Sequence, residues 1–147
     1  MIEVKNIKKV FGDKTIIEDV SSVMKAGQCN LIIGASGSGK TVLMKCMVGL
    51  FEPNEGEVLY SGESFTAMTG SDKTEIRKQI GMLFQGSALF DSQTVEQNVM
   101  FPLNMFTKDS YKEKLRRVNE VLERVNLVGA NKKFPSEVSG GMKKRVA

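Results

Sequence analysis

Ile2 and Val4 alternate with Glu3 and Lys5. That period of two predicts a strand with one apolar face. Gly12-Asp13-Lys14 reads as a turn, after which Thr15 to Val23 offers Ile16, Ile17, Val20 and Val23 as core positions of a second strand. Ala26-Gly27 is a further turn. It leads into residues 28–33, where Leu31-Ile32-Ile33 is an unbroken apolar run of the kind found in parallel strands buried on both faces. The period then lengthens. Leu43, Met44 and Met47 predict a short helix over Thr41 to Val48, stopped by Gly49. Glu57 to Tyr60 reads as a strand closed by Ser61-Gly62, residues 71–79 as a polar helix starting near Ser71-Asp72, and Ile80 to Phe84 as another apolar strand.

Beyond Gln85 the pattern is helical. Thr94-Val95-Glu96-Gln97 and Ser110-Tyr111-Lys112-Glu113 both fit the capping box, in which a hydroxyl and an acidic or amide side chain satisfy the first orphan N–H groups of a helix. Pro102 predicts a stop or kink in the first of these helices. The second is amphipathic, with Tyr111, Leu115, Val118, Val121, Leu122 and Val125 on one face.

Composition narrows the picture. The chain has 147 residues, 41% of them hydrophobic, enough for one ordinary domain with its own core. A net charge of +4, without an aromatic-basic stripe, does not point to nucleic acid. Lys143-Lys144-Arg145, the densest basic cluster, reads as a solvated helix face. The two cysteines, Cys29 and Cys46, read as reduced, buried core thiols of a cytosolic protein, and with no histidine and no CxxC spacing a metal site is not expected from them. No apolar run approaches membrane-spanning length.

Chemistry enters at Gly34-Ala35-Ser36-Gly37-Ser38-Gly39-Lys40-Thr41, which fits G-x-x-x-x-G-K-[ST] between a predicted strand and a predicted helix. Wrapping a triphosphate requires backbone N–H groups at close range, where a Cβ would obstruct, and glycine allows both the approach and the positive φ angles. The helix that follows aims its positive end at the anion. Lys40 can reach the β- and γ-phosphates, and the Thr41 hydroxyl can ligate Mg²⁺. Near the other end stands Val138-Ser139-Gly140-Gly141-Met142, in which Ser139 can donate to a phosphate and the N–H groups of Gly140 and Gly141 are unshielded. Taken alone, that second stretch reads as a loop or helix cap.

Together, the glycine-rich loop, a segment ending in Leu83-Phe84-Gln85, and Val138-Ser139-Gly140-Gly141-Met142 occur in the order that resembles the nucleotide-binding domain of ATP-binding cassette (ABC) transporters. Val138 and Met142 stand where that family's signature usually has Leu and Gln. The resemblance implies an α/β P-loop NTPase fold with an N-terminal antiparallel β subdomain and P-loop core over 1–84, and a Q-loop, helical subdomain and signature over 85–141. It implies that Phe11 stacks on adenine; by its own chemistry Phe11 reads as an ordinary turn or core aromatic. Gln85, otherwise a surface polar residue, would reach Mg²⁺ and the attacking water. Lys40 and Gln85 would be the catalytic residues here, and residues 34–41 with Ser139, Gly140 and Gly141 would contact ATP, the last three on a second domain of a head-to-tail homodimer.

Two stretches, Met82 to Phe90 with Thr94-Val95 and Pro102-Leu103, and Pro135 to Met142, resemble the ATPase subunits of Mla-type phospholipid transporters. The implied cofactors are ATP and Mg²⁺. The implied partner is an integral membrane permease, with the chain peripheral on the cytoplasmic face of the bacterial inner membrane. Phe101, Leu103, Met105 and Phe106 either help to receive the permease or pack the helical subdomain. The alternatives are a soluble ABC protein acting on nucleic acid or ribosomes, and a non-catalytic nucleotide-binding module. The family's strand ending in Asp-Glu, and its switch histidine, have no counterpart within residues 1–147. The resemblance therefore implies a C-terminal half missing from the chain, inactivity of the chain alone, and exposed strand edges where the missing strand would pair.

Overall fold

A computed structural model describes all residues, Met1–Ala147. The chain divides into two compact units, Met1–Gly81 and Met82–Ala147.

The first unit is an antiparallel sheet of order β2-β1-β3-β4 with two helices. β1 (Ile2–Phe11) and β2 (Lys14–Met24) form a hairpin around the predicted turn, with Phe11 opposite Lys14. β1 also pairs with β3 (Glu55–Tyr60), which turns at Ser61-Gly62 into β4 (Glu63–Ser64). Strict alternation from Val4 would put Asn6 inside and Ile7 outside. Instead Ile7 is fully buried, because Asn6 takes a positive φ of 49° and the register shifts between Val4 and Ile7. Asp19 does the same on β2, and the Asn6 amide donates to its carboxylate at 2.7 Å. The core that results joins Val4, Ile7, Ile17, Val58 and Phe65 to Leu43 and Met47 of helix α1 (Lys40–Met47). Leu43 and Met47 are buried as the helical spacing predicts, and so is Cys46, but Met44 is exposed.

Helix α1 ends at Gly49, in the left-handed region, whose N–H donates to Cys46. Its last carbonyls are met by α2 (Gly70–Arg77): the Arg77 guanidinium donates to Gly49 O at 2.7 Å and to Val48 O at 3.3 Å. The Tyr60 hydroxyl donates to Met47 O at 2.8 Å. Helix α2 begins a residue or two before the predicted start because Thr69, not Ser71, caps it.

Two expected strands are absent. Residues 28–33 and 80–84 belong to neither a strand nor a helix. Leu31 and Ile33 are each 81% exposed, and Leu83 and Phe84 are exposed as well. The apolar pattern is real, but a strand needs a neighbour for its N–H and C=O groups, and the sheet offers none to either segment. Residues 25–30 are instead tied by the Asn30 side chain, which bonds Lys25 N and O and Gln28 O. Cys29, in this segment, is exposed, contrary to its reading as a core thiol; Cys46 is buried, and burial pushes its thiol pKa up.

The second unit is helical. α3 (Val95–Phe106) and α4 (Tyr111–Arg124) both begin at complete capping boxes, Thr94 with Gln97 and Ser110 with Glu113. Pro102 lies inside α3 and does not end it. Val95, Met100, Val118, Leu122, Leu127, Ala130 and Val138 form the core, with Leu103, Leu115 and Val125 packed against it. Leu103 is thus internal packing, whereas Phe101, Met105 and Phe106 are exposed, as are Tyr111 and Val121 on the supposed inner face of α4.

Tyr111 is drawn to a polar centre. Glu96, only 5% exposed, accepts from the Tyr111 hydroxyl at 2.9 Å, from Asn131 Nδ2 at 3.1 Å and from Lys132 Nζ at 3.4 Å. Burial pushes its carboxyl pKa up, but the hydrogen bonds from Tyr111 and Asn131 and the charge of Lys132 outweigh that and hold it below the ordinary value. A 3₁₀ turn (Pro135–Glu137) then leads to α5 (Gly140–Val146). Of its basic run, Arg145 is not simply solvated: it donates to Val125 O at 2.8 Å.

Candidate functional site

The glycine-rich loop runs from residue 34 to the first turn of α1. Gly37 and Gly39 take φ angles of 78° and 89°, which L side chains adopt only with strain. Gly39 has a second reason to be glycine. A Cβ there would lie 2.9 Å from the carbonyl oxygen of Ile16 and 3.2 Å from Cγ1 of Ile17, so the start of α1 rests directly on β2. A Cβ at Gly34 would meet the Ser38 hydroxyl at 2.8 Å. Ser38 N donates to Ala35 O at 3.2 Å, which closes the loop on itself. Successive N–H groups in such a turn make an anion-binding concavity at the positive end of a helix.

The Lys40 ammonium lies over this loop, donating to Gly34 O at 2.9 Å and Ala35 O at 2.7 Å. A cation is therefore held by two carbonyls of the glycine-rich loop. Thr41 is exposed on the first turn of α1 beside it. A cleft of about 320 Å³ is lined by Phe11, Ile16 and residues 37–42. Phe11 is thereby brought to the loop from the far end of the β1–β2 hairpin, 43% exposed, although 26 residues separate it from Gly37 in sequence. The predicted residues Phe11, Gly37, Ser38, Gly39, Lys40 and Thr41 thus share one cleft, while Gly34, Ala35 and Ser36 do not line it.

The cleft fits the phosphates of a nucleotide, with donors from the backbone and Lys40 and an apolar wall for a base. It also fits Mg²⁺ in the way that ion is usually held, by one or two protein oxygens plus substrate phosphates. Thr41 can supply a hydroxyl, and no cluster of three acidic or cysteine ligands competes for the metal.

The remaining predicted residues lie in the second unit. Gln85 is exposed, in a turn with Gly86, and is followed by Ser87 and Ala88, both with positive φ. Two such residues in succession make a backbone that is strained unless its surroundings hold it. Ser139 is the N-cap of α5: its Oγ accepts from Met142 N at 3.2 Å, and its own proton remains available to another acceptor. Gly140 and Gly141, in the first turn of α5, are exposed, with nothing within 4 Å of a notional Cβ. Val138 is buried and anchors this end in the helical core.

Sequence reasoning missed Phe51. Its ring meets Phe11 edge to face, with centroids 5.2 Å apart and planes at 74°. No local pattern marks it; only the pairing of β1 with the segment after α1 brings the two rings together.

The family described as "ABC transporter" matches residues 17–147. The chain is 42% identical, over 98% of its length and 42% of the relative's, to the probable ribonucleotide transport ATP-binding protein mkl of Mycobacterium leprae. It is 44% identical, over its whole length and 44% of the relative's, to the methionine import ATP-binding protein MetN of Escherichia coli K12. The chain therefore spans less than half the length of these curated relatives. Among solved structures, the dimeric ATP-binding cassette MJ0796 bound to ADP and Pi matches at a TM-score of 0.88 and 30% identity, covering 99% of this chain and 66% of that one. The cassette cbiO1 of Clostridium perfringens, part of the complex cbiONQ, matches at 0.81 and 26%, covering 99% and 58%.

Proposed function

Because this chain belongs to the ABC transporter family, we propose that it is the nucleotide-binding part of an ATPase subunit that powers a membrane transporter. The carrying observation is the cleft in which Lys40 lies over the loop carbonyls beside Gly37 and Gly39, both in the left-handed region. Phe11 stacks on the base. The N–H groups of residues 37–41 surround the phosphates, and Lys40 exchanges its two carbonyl partners for phosphate oxygens. Thr41 would hold Mg²⁺ through its hydroxyl, and Gln85 is the second ligand that the family resemblance implies; the ion would supply neutralisation of phosphate charge. Gln85 orients water through its amide. Ser139 donates its hydroxyl proton, and Gly140 and Gly141 their N–H groups, to the nucleotide held by a second copy, so that ATP draws two copies together head to tail.

The partner is an integral membrane permease. Exposed Phe101, Met105 and Phe106 support that reading, as does a cleft of about 470 Å³ in the same unit lined by Phe84, Leu89, Phe90 and Phe101 among others. No helix is long and apolar enough to cross a membrane. As part of such an ATPase subunit the chain is placed peripherally, on the cytoplasmic face of the bacterial inner membrane. For the cargo we favour a phospholipid, on the strength of the two stretches, Met82 to Phe90 and Pro135 to Met142, that resemble Mla-type ATPases. The relatives' names speak of ribonucleotide and methionine, so purification with the native permease and identification of what co-elutes decides between cargoes.

The test of the site is Lys40→Ala in the intact protein. Loss of charged hydrogen bonds worth about 1.5–3 kcal/mol weakens ATP binding about 10- to 150-fold. Unchanged affinity by calorimetry would refute the assignment.

A further inference from the structure

Phe11 sits at the tip of a hairpin, at the last residue of β1 before the turn, with a half-exposed ring. An exposed aromatic at such a position samples several rotamers, and each must be given up when a base stacks on it. The Phe51 ring, which meets it edge to face, restricts that freedom.

Phe51 is itself tied to the phosphate-binding helix. Its N–H donates to Lys45 O at 3.2 Å, in the last turn of α1, and Leu50 N donates to the same carbonyl at 2.8 Å. Lys45 Nζ stands 5.1 Å from the centre of the Phe51 ring. The residues that follow are laced to β1: Lys9 Nζ donates to Glu52 O at 2.7 Å and lies 5.0 Å from the centre of the Phe11 ring. Asn54 N donates to Lys8 O at 2.8 Å, and Asn54 Oδ1 accepts from Val10 N at 2.9 Å. One helix thus carries Lys40 at its start and, through Phe51, steadies Phe11 beyond its end.

We propose that Phe51 is a positioning residue for nucleotide binding: its ring holds Phe11 in the orientation that receives the base, and it links that orientation to α1. The inference rests on the reading of Phe11 as the stacking ring. Phe51 touches no phosphate-binding group, so its loss affects the base and spares the triphosphate.

The experiment is calorimetric titration of the intact protein with ATP and, separately, with inorganic tripolyphosphate. An aromatic edge contact of ordinary strength predicts that Phe51→Ala and Phe51→Leu weaken ATP about threefold to tenfold and leave tripolyphosphate unchanged. Phe51→Tyr, which keeps the ring edge, restores ATP affinity. In the Phe11→Ala background, Phe51→Leu has no further effect on ATP, because the ring it positions is gone. Equal weakening of both ligands would show a merely structural residue and overturn the proposal, as would unchanged ATP affinity in Phe51→Leu. Phe11→Ala separates the two failures. If that variant binds ATP as the wild type does, the stacking assignment has failed; if it loses ATP while Phe51→Leu does not, only the role of Phe51 has failed.

Discussion

A methyl group at Gly39 would sit 2.9 Å from the carbonyl oxygen of Ile16, closer than real Cβ atoms approach backbone. The start of α1 and the beginning of β2 are therefore in contact without a side chain between them. Gly39→Ala must separate them and also place alanine at a φ of 89°. It should cost about 1–3 kcal/mol of stability and weaken nucleotide binding. Gly12→Ala is the control, since φ is also positive there but nothing lies within 4 Å of the added atom. Thermal denaturation should show the smaller loss for Gly12→Ala.

Glu96 makes stability depend on pH. Its folded-state pKa lies below the unfolded value of about 4.5, so its contribution is full above that value and is lost as pH falls through the folded pKa. Glu96→Gln removes this dependence. The wild type should lose more stability than the variant as pH is lowered from 5 to 3, a window about the ordinary carboxylate range, as followed by circular dichroism. Tyr111→Phe leaves a buried carboxylate oxygen short of one donor and should cost about 1–3 kcal/mol at neutral pH.

Ser139→Arg should leave ATP binding by the monomer within about twofold, because Ser139 lies outside the cleft of Phe11 and Lys40. It should abolish nucleotide-driven dimerisation in light scattering, since the larger cation occupies the space meant for a phosphate. Dimerisation at the wild-type ATP concentration would refute the trans role.

Residues 28–33 lack ladder partners, whereas β1 is paired on both sides. In the 147-residue chain, amides at Leu31 and Ile33 should exchange with deuterium at nearly unprotected rates while those of Val4 and Ile7 stay protected. Comparable protection at both places would contradict the architecture.

Signals confined to a few residues were readable before any coordinates. Thr94 with Gln97, Ser110 with Glu113 and the turn at Gly12-Asp13 all stand as expected, because each motif is completed within a few residues of chain. Readings that depend on a distant partner fared worse. The apolar runs at 28–33 and 80–84 record a preference for burial, but pairing is a property of two segments, and no second segment is present. Ile7 inside, against simple alternation, follows from the positive φ at Asn6, which a strand pattern does not display. The contact of Phe51 with Phe11 bridges 40 positions and leaves no local trace.

That Cys29 is exposed and Cys46 buried has a practical use. A maleimide dye will choose between the two thiols by accessibility, without mutagenesis. Its point of attachment is five residues ahead of Gly34. A fluorophore there would report, in real time, on anything that comes to cover residues 28–33.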